Sequence, residues 1–187
     1  MPPPALDPAT RWAIAACFFL SGAAGLIYEV VWAKHLALFI GSTGLSHTII
    51  LASFMGGLAL GSWVLGRVCD NFAHPLRAYA VLELGIGCYG IFYPSFSSVM
   101  EWVYLQAAEG AGISGAPGLA LKLLLSAIVL VPPTFLMGGT LPLLGRFLAQ
   151  PGNPARAVSL LYFLNSFGAV AGTLAGGFLL IPDLGLR

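Results

Sequence analysis

The sequence predicts an all-α integral membrane protein with about five transmembrane helices, on the basis of two observations. Of the 187 residues, 58% are hydrophobic and only 8% are charged, whereas a soluble domain carries about 25% charged residues. The apolar residues also form runs long enough to cross a bilayer, which requires about 20 residues in a helix. A net charge of +1 provides no basic face for phosphates, so no nucleic-acid partner is expected.

The apolar runs predict the order of the spans. We predict a disordered proline-rich lead over residues 1–11 and then a single transmembrane domain over residues 12–187, with spans at 12–40, 45–65, 76–97, 119–148 and 157–181. The first run is too long for the apolar core of a signal peptide. The stretch between the third and fourth spans is predicted as either a short helix at the membrane interface or a plain loop.

The fourth span contains the features that disturb helices. Proline removes a backbone hydrogen bond and clashes with the preceding turn, and glycine adds flexibility. We therefore predict that this helix is kinked or broken at Pro132-Pro133 and Gly138-Gly139.

Basic residues predict the orientation. Short loops rich in arginine and lysine stay in the cytoplasm. With the N-terminus inside, five arginines fall on the cytoplasmic side: Arg11, Arg67, Arg77, Arg146 and Arg156. The prediction is N-in and C-out, in the cytoplasmic (inner) membrane of a bacterium as a multi-pass protein with the lipid bilayer around it.

Small residues recur at helical spacing and predict where helices pack. Small residues four apart let backbones approach closely in membranes. The glycines predicted to pack against other helices are Gly25, Gly57, Gly61, Gly87, Gly168, Gly172 and Gly176. The segments FMGGLALGSWVLGR (54–67) and LMGGTLPLLGR (136–146) also resemble each other, which indicates either a parallel internal repeat or a chance match of glycine-rich helices.

Three polar residues inside the spans are the first site candidates. Ionisable groups within a membrane are functional candidates by default, so Glu29, Glu83 and Asn165 are predicted to bind a solute or a proton. The alternative is a structural role, as a protonated or hydrogen-bonded carboxyl or an interhelical amide contact. By depth, Glu83 and Asn165 are predicted to lie close together.

Aromatic and basic residues complete the candidate set. Tyr28 and Tyr79 offer ring faces for a cation, with packing as the alternative role. Lys34 and Lys122 are the ion-pair candidates, and depth favours Lys122 as the partner of Glu29. The histidines and cysteines show no ligand spacing, so neither a metal nor any other cofactor is expected.

Several segments together resemble a known family. FFLSGAAGLIYEVVWAKHLALFIGST, YAVLELGIGCYG, PPTFLMGGTLPLL and LYFLNSFGAVAGTLAGGFLLIPDLGLR resemble the membrane part of the bacterial fused major-facilitator/spermidine-synthase-like proteins. The resemblance implies a transporter-like membrane domain that an aminopropyltransferase domain accompanies. No glycine loop of the kind such an enzyme needs occurs here, so we expect this chain to lack that domain and not to be an enzyme.

Three functions follow as hypotheses. The first is a transporter-like module that handles a small cationic solute such as a polyamine and works in an oligomer, either with itself or with other membrane subunits. The second is an accessory or structural subunit of a larger membrane complex. The third is a membrane anchor for a separate spermidine-synthase-like enzyme.

Overall fold

The computed structural model describes residues 7–41, 44–148 and 154–184, and nearly all of them are helical. The five long helices are α1 (Pro8–Ile40), α2 (Gly44–Val68), α3 (Pro75–Ala111), α4 (Gly115–Leu148) and α5 (Pro154–Ala175). A 3₁₀ turn (Cys69–Asn71) follows α2, and a π-helical turn (Gly176–Leu180) joins α5 to the short α6 (Ile181–Leu184). These ranges contain no strand, and the predicted all-α class is confirmed.

Four segments are long and apolar enough to cross a membrane. They are Pro8–Ile40, Gly44–Val68, Gly115–Leu148 and Val158–Leu180. The third predicted span lies inside α3, which is less apolar because it contains Glu83, Pro94 and several serines. Within the described ranges the count of such segments is therefore four, one fewer than the five spans predicted.

Two helix boundaries differ from the prediction. Helix α1 begins at Pro8, so the last residues of the predicted disordered lead are helical, while residues 1–6 lie outside the described chain. Helix α3 continues to Ala111, so neither an interfacial helix nor a plain loop follows the third span. Residues 98–111 are mostly good helix formers, and α3 ends where Gly112 adopts a left-handed conformation with φ 61°.

Helix α4 is continuous although it contains three prolines, so the predicted break does not occur, and a kink stays a prediction. Pro133 has no N–H to donate to the carbonyl of Val129, four residues earlier. The Tyr89 hydroxyl donates a hydrogen bond of 2.6 Å to that carbonyl. Helix α3 thus supplies the donor that the proline removes from α4.

The chain divides into two compact units, of which the first combines residues 1–30 with residues 148–185. Its core is a contact between α1 and α5. A Cβ atom added to Gly168 would overlap the Phe19 carbonyl, and one added to Gly172 would overlap the Ala23 carbonyl. From the first of these pairs to the second, the residue number rises on both helices, so α1 and α5 run parallel. Glycine lets their backbones touch.

The second unit contains Val31–Phe147, and glycines join α2 to α4 within it. A Cβ atom at Gly61 would overlap the Phe135 carbonyl, and one at Gly138 would overlap the Leu58 carbonyl. Each helix therefore contributes a glycine at a point where the backbone of the other helix approaches.

The two similar segments, 54–67 and 136–146, lie side by side in this contact. A Cβ atom at Gly66 would lie 3.7 Å from Pro142. This pair lies nearer the C-terminal ends of both helices than the contacts described above, so α2 and α4 run parallel. The segments share a glycine-rich pattern because each supplies the small surface that the other helix packs against. A common origin as an internal repeat stays a prediction.

Candidate functional site

A cavity of about 400 Å³ opens within the second unit, where the end of α1 meets α3 and α4. Its volume lies within the range of about 300–1,000 Å³ that is usual for small-molecule sites. Helix α1 contributes His35, Leu38 and Phe39, helix α3 contributes Glu101, Tyr104 and Leu105, and helix α4 contributes Lys122. One acid, one lysine, one histidine and two aromatic rings therefore meet at one place.

The ammonium group of Lys122 is held by a carbonyl and two rings. Its Nζ donates a hydrogen bond of 2.7 Å to the Phe39 carbonyl. The same atom lies 5.1 Å from the centroid of the Phe39 ring and 4.9 Å from that of the Tyr104 ring, within reach of cation–π attraction. We call the Phe39 carbonyl and the rings of Phe39 and Tyr104 the ammonium cage.

The position of the cage follows from the end of α1. The last four carbonyls of a helix lack intrahelical donors, and the carbonyl of Phe39 is one of them because α1 ends at Ile40. A cation is favoured at this negative end of the helix dipole. No basic residue stands in the last turn of α1, so Lys122 supplies the charge from α4.

The same cavity also carries an acid beside a histidine. The Nε2 atom of His35 lies 4.0 Å from Oε1 of Glu101, and 46% of the Glu101 side chain is exposed. The Tyr93 hydroxyl lies 3.5 Å from Nδ1 of His35, and the Tyr93 ring stacks on Trp32 with centroids 4.7 Å apart. These contacts fix the histidine, while much of the carboxylate stays accessible to a solute.

The acids predicted from the sequence lie outside this cavity. Glu29 is partly buried in the first unit, and Glu83 is partly buried on α3, about 27 Å from Glu101 at 1.5 Å per residue. Asn165 belongs to the first unit, where a Cβ atom at Gly22 would overlap its backbone carbonyl. The binding roles of Glu29, Glu83 and Asn165, and the predicted proximity of the latter two, stay predictions.

The remaining candidates are divided between the units. Tyr28 is partly buried in the first unit, and Tyr79 is buried in the second. Lys34 is exposed on α1, whereas Lys122 occupies the ammonium cage. Pairing of Lys122 with Glu29 stays a prediction.

The glycines predicted to pack fall into three groups. Those that leave no room for a Cβ atom beside a neighbouring helix are Gly57, Gly61, Gly168 and Gly172. Gly176 makes ordinary contact, since a Cβ atom there would lie 3.6 Å from Ile27, whereas Gly87 has open space around it. Gly25 is partly buried.

Of the polar and aromatic residues of the cavity, sequence reasoning selected Lys122 and missed the candidates on α1 and α3. Glu101 and Tyr104 lay in a segment that was predicted to leave the third span, and His35 was considered only as a metal ligand. In the described chain, no group of three or more histidine, cysteine, aspartate or glutamate side chains is placed to hold a metal. The signal that could have located the cavity is the helical spacing of Tyr93, Glu101 and Tyr104, which puts them on one side of α3.

The chain is similar to curated polyamine aminopropyltransferases. It is 28% identical over 193 residues to the polyamine aminopropyltransferase of Mycobacterium tuberculosis (strain ATCC 25618 / H37Rv), covering 97% of this chain and 33% of that protein. It is also 28% identical over 192 residues to polyamine aminopropyltransferase 1 of Ralstonia nicotianae (strain ATCC BAA-1114 / GMI1000), covering 99% of this chain and 34% of that protein. This chain therefore spans about a third of the length of the curated relatives it matches.

No protein-family model matches the chain, and no solved structure matches it at a significant level. The spermidine-synthase-like part of the resemblance is supported by the weak similarity to polyamine aminopropyltransferases along nearly the whole chain. The link to a transporter domain stays a prediction from the quoted segments.

Proposed function

We propose that this chain is a transporter-like membrane module that binds a small organic cation of the polyamine class, and that it does so in the cavity of His35, Glu101 and Lys122. The observation that carries the proposal is the ammonium cage, which already holds one primary ammonium, that of Lys122. The curated relatives act on polyamines by name, and polyamines bear the same primary ammonium groups.

The occupancy of the ammonium cage by Lys122 determines how such a cation binds. The cage holds one ammonium at a time, so the solute displaces Lys122 from the Phe39 carbonyl. The released lysine then pairs with Glu101, which lines the same cavity. Displacement therefore leaves Lys122 beside a carboxylate, while the carbonyl and rings of the ammonium cage take up the ammonium of the solute.

Histidine and aromatic residues act as positioning groups in this proposal. His35 lies between Glu101 and Tyr93, so the carboxylate is held on the wall of the cavity. Stacking of Trp32 on Tyr93 fixes the ring of that tyrosine. These positioning groups are ordered before the solute binds, which lowers the entropy lost on binding.

Oligomer formation is part of the same proposal. Large apolar side chains point outward on different helices, among them Trp12 (77% exposed), Ile91 (76%) and Phe178 (76%). Such residues need cover from lipid or from another subunit. A second copy or another membrane subunit that covers part of this surface would complete a path across the bilayer.

Binding of labelled spermidine to the purified chain in mild detergent tests the proposal. Replacing Glu101 by glutamine removes the carboxylate that accepts Lys122, so we expect affinity to fall about tenfold, as for loss of a charge-assisted contact. The matched control is Glu109→Gln, an exposed acid on the same helix that does not line the cavity. Equal affinity in Glu101→Gln and the unmodified chain would refute the proposal.

A second function is favoured by the comparisons. The chain matches only a third of proteins that are named for aminopropyl transfer, which is the pattern expected if it anchors such an enzyme to the membrane. In this second proposal a different polypeptide segment carries out the transfer reaction. Native mass spectrometry after mild solubilisation separates the two proposals, because an anchor requires a stable complex with an aminopropyltransferase polypeptide, whereas the first proposal requires spermidine binding in the absence of that enzyme.

A further inference from the structure

A second cavity, of about 410 Å³, lies in the second unit where α2 ends, α3 begins and α4 ends. Its wall is apolar, with Leu65, Phe72, Val81 and Leu143 among the lining residues. The polar groups on its lining come from His74 and Arg77. An elongated apolar group with an anionic head is the type of ligand that such a lining fits.

The turn before α3 fixes the position of Arg77. The backbone N–H of Phe72 donates to the Cys69 carbonyl at 3.2 Å, and that of Arg77 donates to the His74 carbonyl at 3.0 Å. The Arg77 side chain is exposed, and no carboxylate pairs with it among the side chains that the structure describes. Its guanidinium therefore has donors left for a ligand, and the fork geometry of arginine suits phosphate.

The surroundings of this cavity have the character of a membrane interface. Helices α2 and α4 are both long and apolar enough to cross a bilayer, and the cavity lies beside the end of each. Near the end of α2, the Arg67 guanidinium lies 4.1 Å from the centroid of the Trp63 ring. Tryptophan is enriched at the level of lipid headgroups and arginine in the loops beside them, so this end of α2 has the composition of a segment at the bilayer surface.

We infer that the cavity of Arg77 binds an anionic phospholipid, with the phosphate on the Arg77 guanidinium and one acyl chain against the apolar wall. A zwitterionic lipid is disfavoured because its own ammonium offsets the attraction between phosphate and the basic residue. This site is separate from the cation cavity, and it holds whether or not a polyamine binds there.

The test compares lipids on the full chain by native mass spectrometry in mild detergent. We expect phosphatidylglycerol to bind at least fivefold more tightly than phosphatidylcholine of the same acyl chains, since one basic residue near an anionic surface contributes about that factor. Arg77→Gln should remove this preference and Arg77→Lys should keep most of it. Arg11→Gln, an exposed arginine of the first unit, is the control and should bind as the unmodified chain does.

Val81→Trp tests the acyl-chain part without changing charge. The larger side chain fills the apolar wall, so phosphatidylglycerol binding should fall while Arg77 is retained, and an unchanged unfolding midpoint shows that the variant is folded. Soluble glycerol phosphate should bind far more weakly than the lipid. Equal binding of the two lipids, an unaltered preference in Arg77→Gln, or equal affinity for glycerol phosphate would each overturn the inference.

Discussion

Replacement of Lys122 by methionine tests whether the ammonium cage stabilises the fold. Methionine keeps an unbranched apolar side chain of similar length, so the substitution removes the charge and its contacts while most of the packing remains. The hydrogen bond to the Phe39 carbonyl involves a charged donor, which contributes about 1.5–3 kcal/mol. Two cation–π contacts add about 0.5–1 kcal/mol each at partly exposed sites.

These contributions act against the cost of taking an ammonium partly out of water. We therefore expect Lys122→Met to lower the free energy of unfolding by about 2–3 kcal/mol, below the simple sum. The measurement is denaturant unfolding of the purified chain in mild detergent. The control is Lys34→Met, which changes the other lysine of the sequence at an exposed position and should alter stability by no more than about 0.5 kcal/mol.

An added ammonium ligand should reverse the loss. With the cage vacated, a primary alkylammonium or spermidine at a concentration of about 100 times its Kd stabilises the folded state by about 2.7 kcal/mol. The same ligand should stabilise the unmodified chain less, because it must first displace Lys122. Spermidine should also bind the Lys122→Met variant more tightly than it binds the unmodified chain.

Two results would refute this reasoning. If Lys122→Met and Lys34→Met unfold alike, the cage contributes nothing to stability. If ammonium ligands stabilise the unmodified chain as much as the Lys122→Met variant, the solute does not compete with the lysine, and the displacement step is wrong.

Two further predictions concern helix packing, and unfolding in the same detergent checks both. Tyr89→Phe leaves the Val129 carbonyl without its 2.6 Å hydrogen bond and should lower the free energy of unfolding by about 1–3 kcal/mol. Tyr162→Phe, at an exposed position, should leave the stability unchanged. Equal effects of the two substitutions would contradict the role of Tyr89. Gly61→Ala forces a Cβ atom into a neighbouring backbone and should lower the free energy of unfolding by about 1–3 kcal/mol. Gly87→Ala places a Cβ atom in open space and should raise the free energy of unfolding by up to about 1 kcal/mol. Effects of the same sign in the two glycine variants would show that the close approach at Gly61 is not required.

The helical class could be predicted because it depends on composition and run length alone. An apolar run of membrane length must satisfy its own backbone, and a helix does so within the segment. The close glycine contacts on α2 and α5 also follow a spacing that is visible in the sequence. Gly87 shows the limit of that pattern, since a glycine at helical spacing indicates room for a neighbour and not the presence of one.

The candidate site could not be predicted because its parts are distant in sequence. Lys122 and the carbonyl that it binds are 83 residues apart, and which helix end receives the lysine depends on how α1, α3 and α4 pack. Glu101 was also placed outside a span because polar residues lower the local hydropathy, although good helix formers carry α3 on to Ala111. Search by hydropathy favours isolated acids such as Glu29, and it gives less weight to acids near helix ends.

The position of Lys122 implies a conflict between stability and binding. The lysine completes the end of α1, yet it occupies the cage in which we propose that a cationic solute binds. A variant that empties the cage should bind a cationic solute more tightly and unfold more easily. Such a conflict between stability and function is common at binding and active sites. By this proposal, a solute of the unmodified chain must bind strongly enough to displace an internal competitor. Only a cation with a comparable ammonium can replace every contact that Lys122 gives up. In the proposed function, the same lysine therefore both stabilises the empty module and selects its solute.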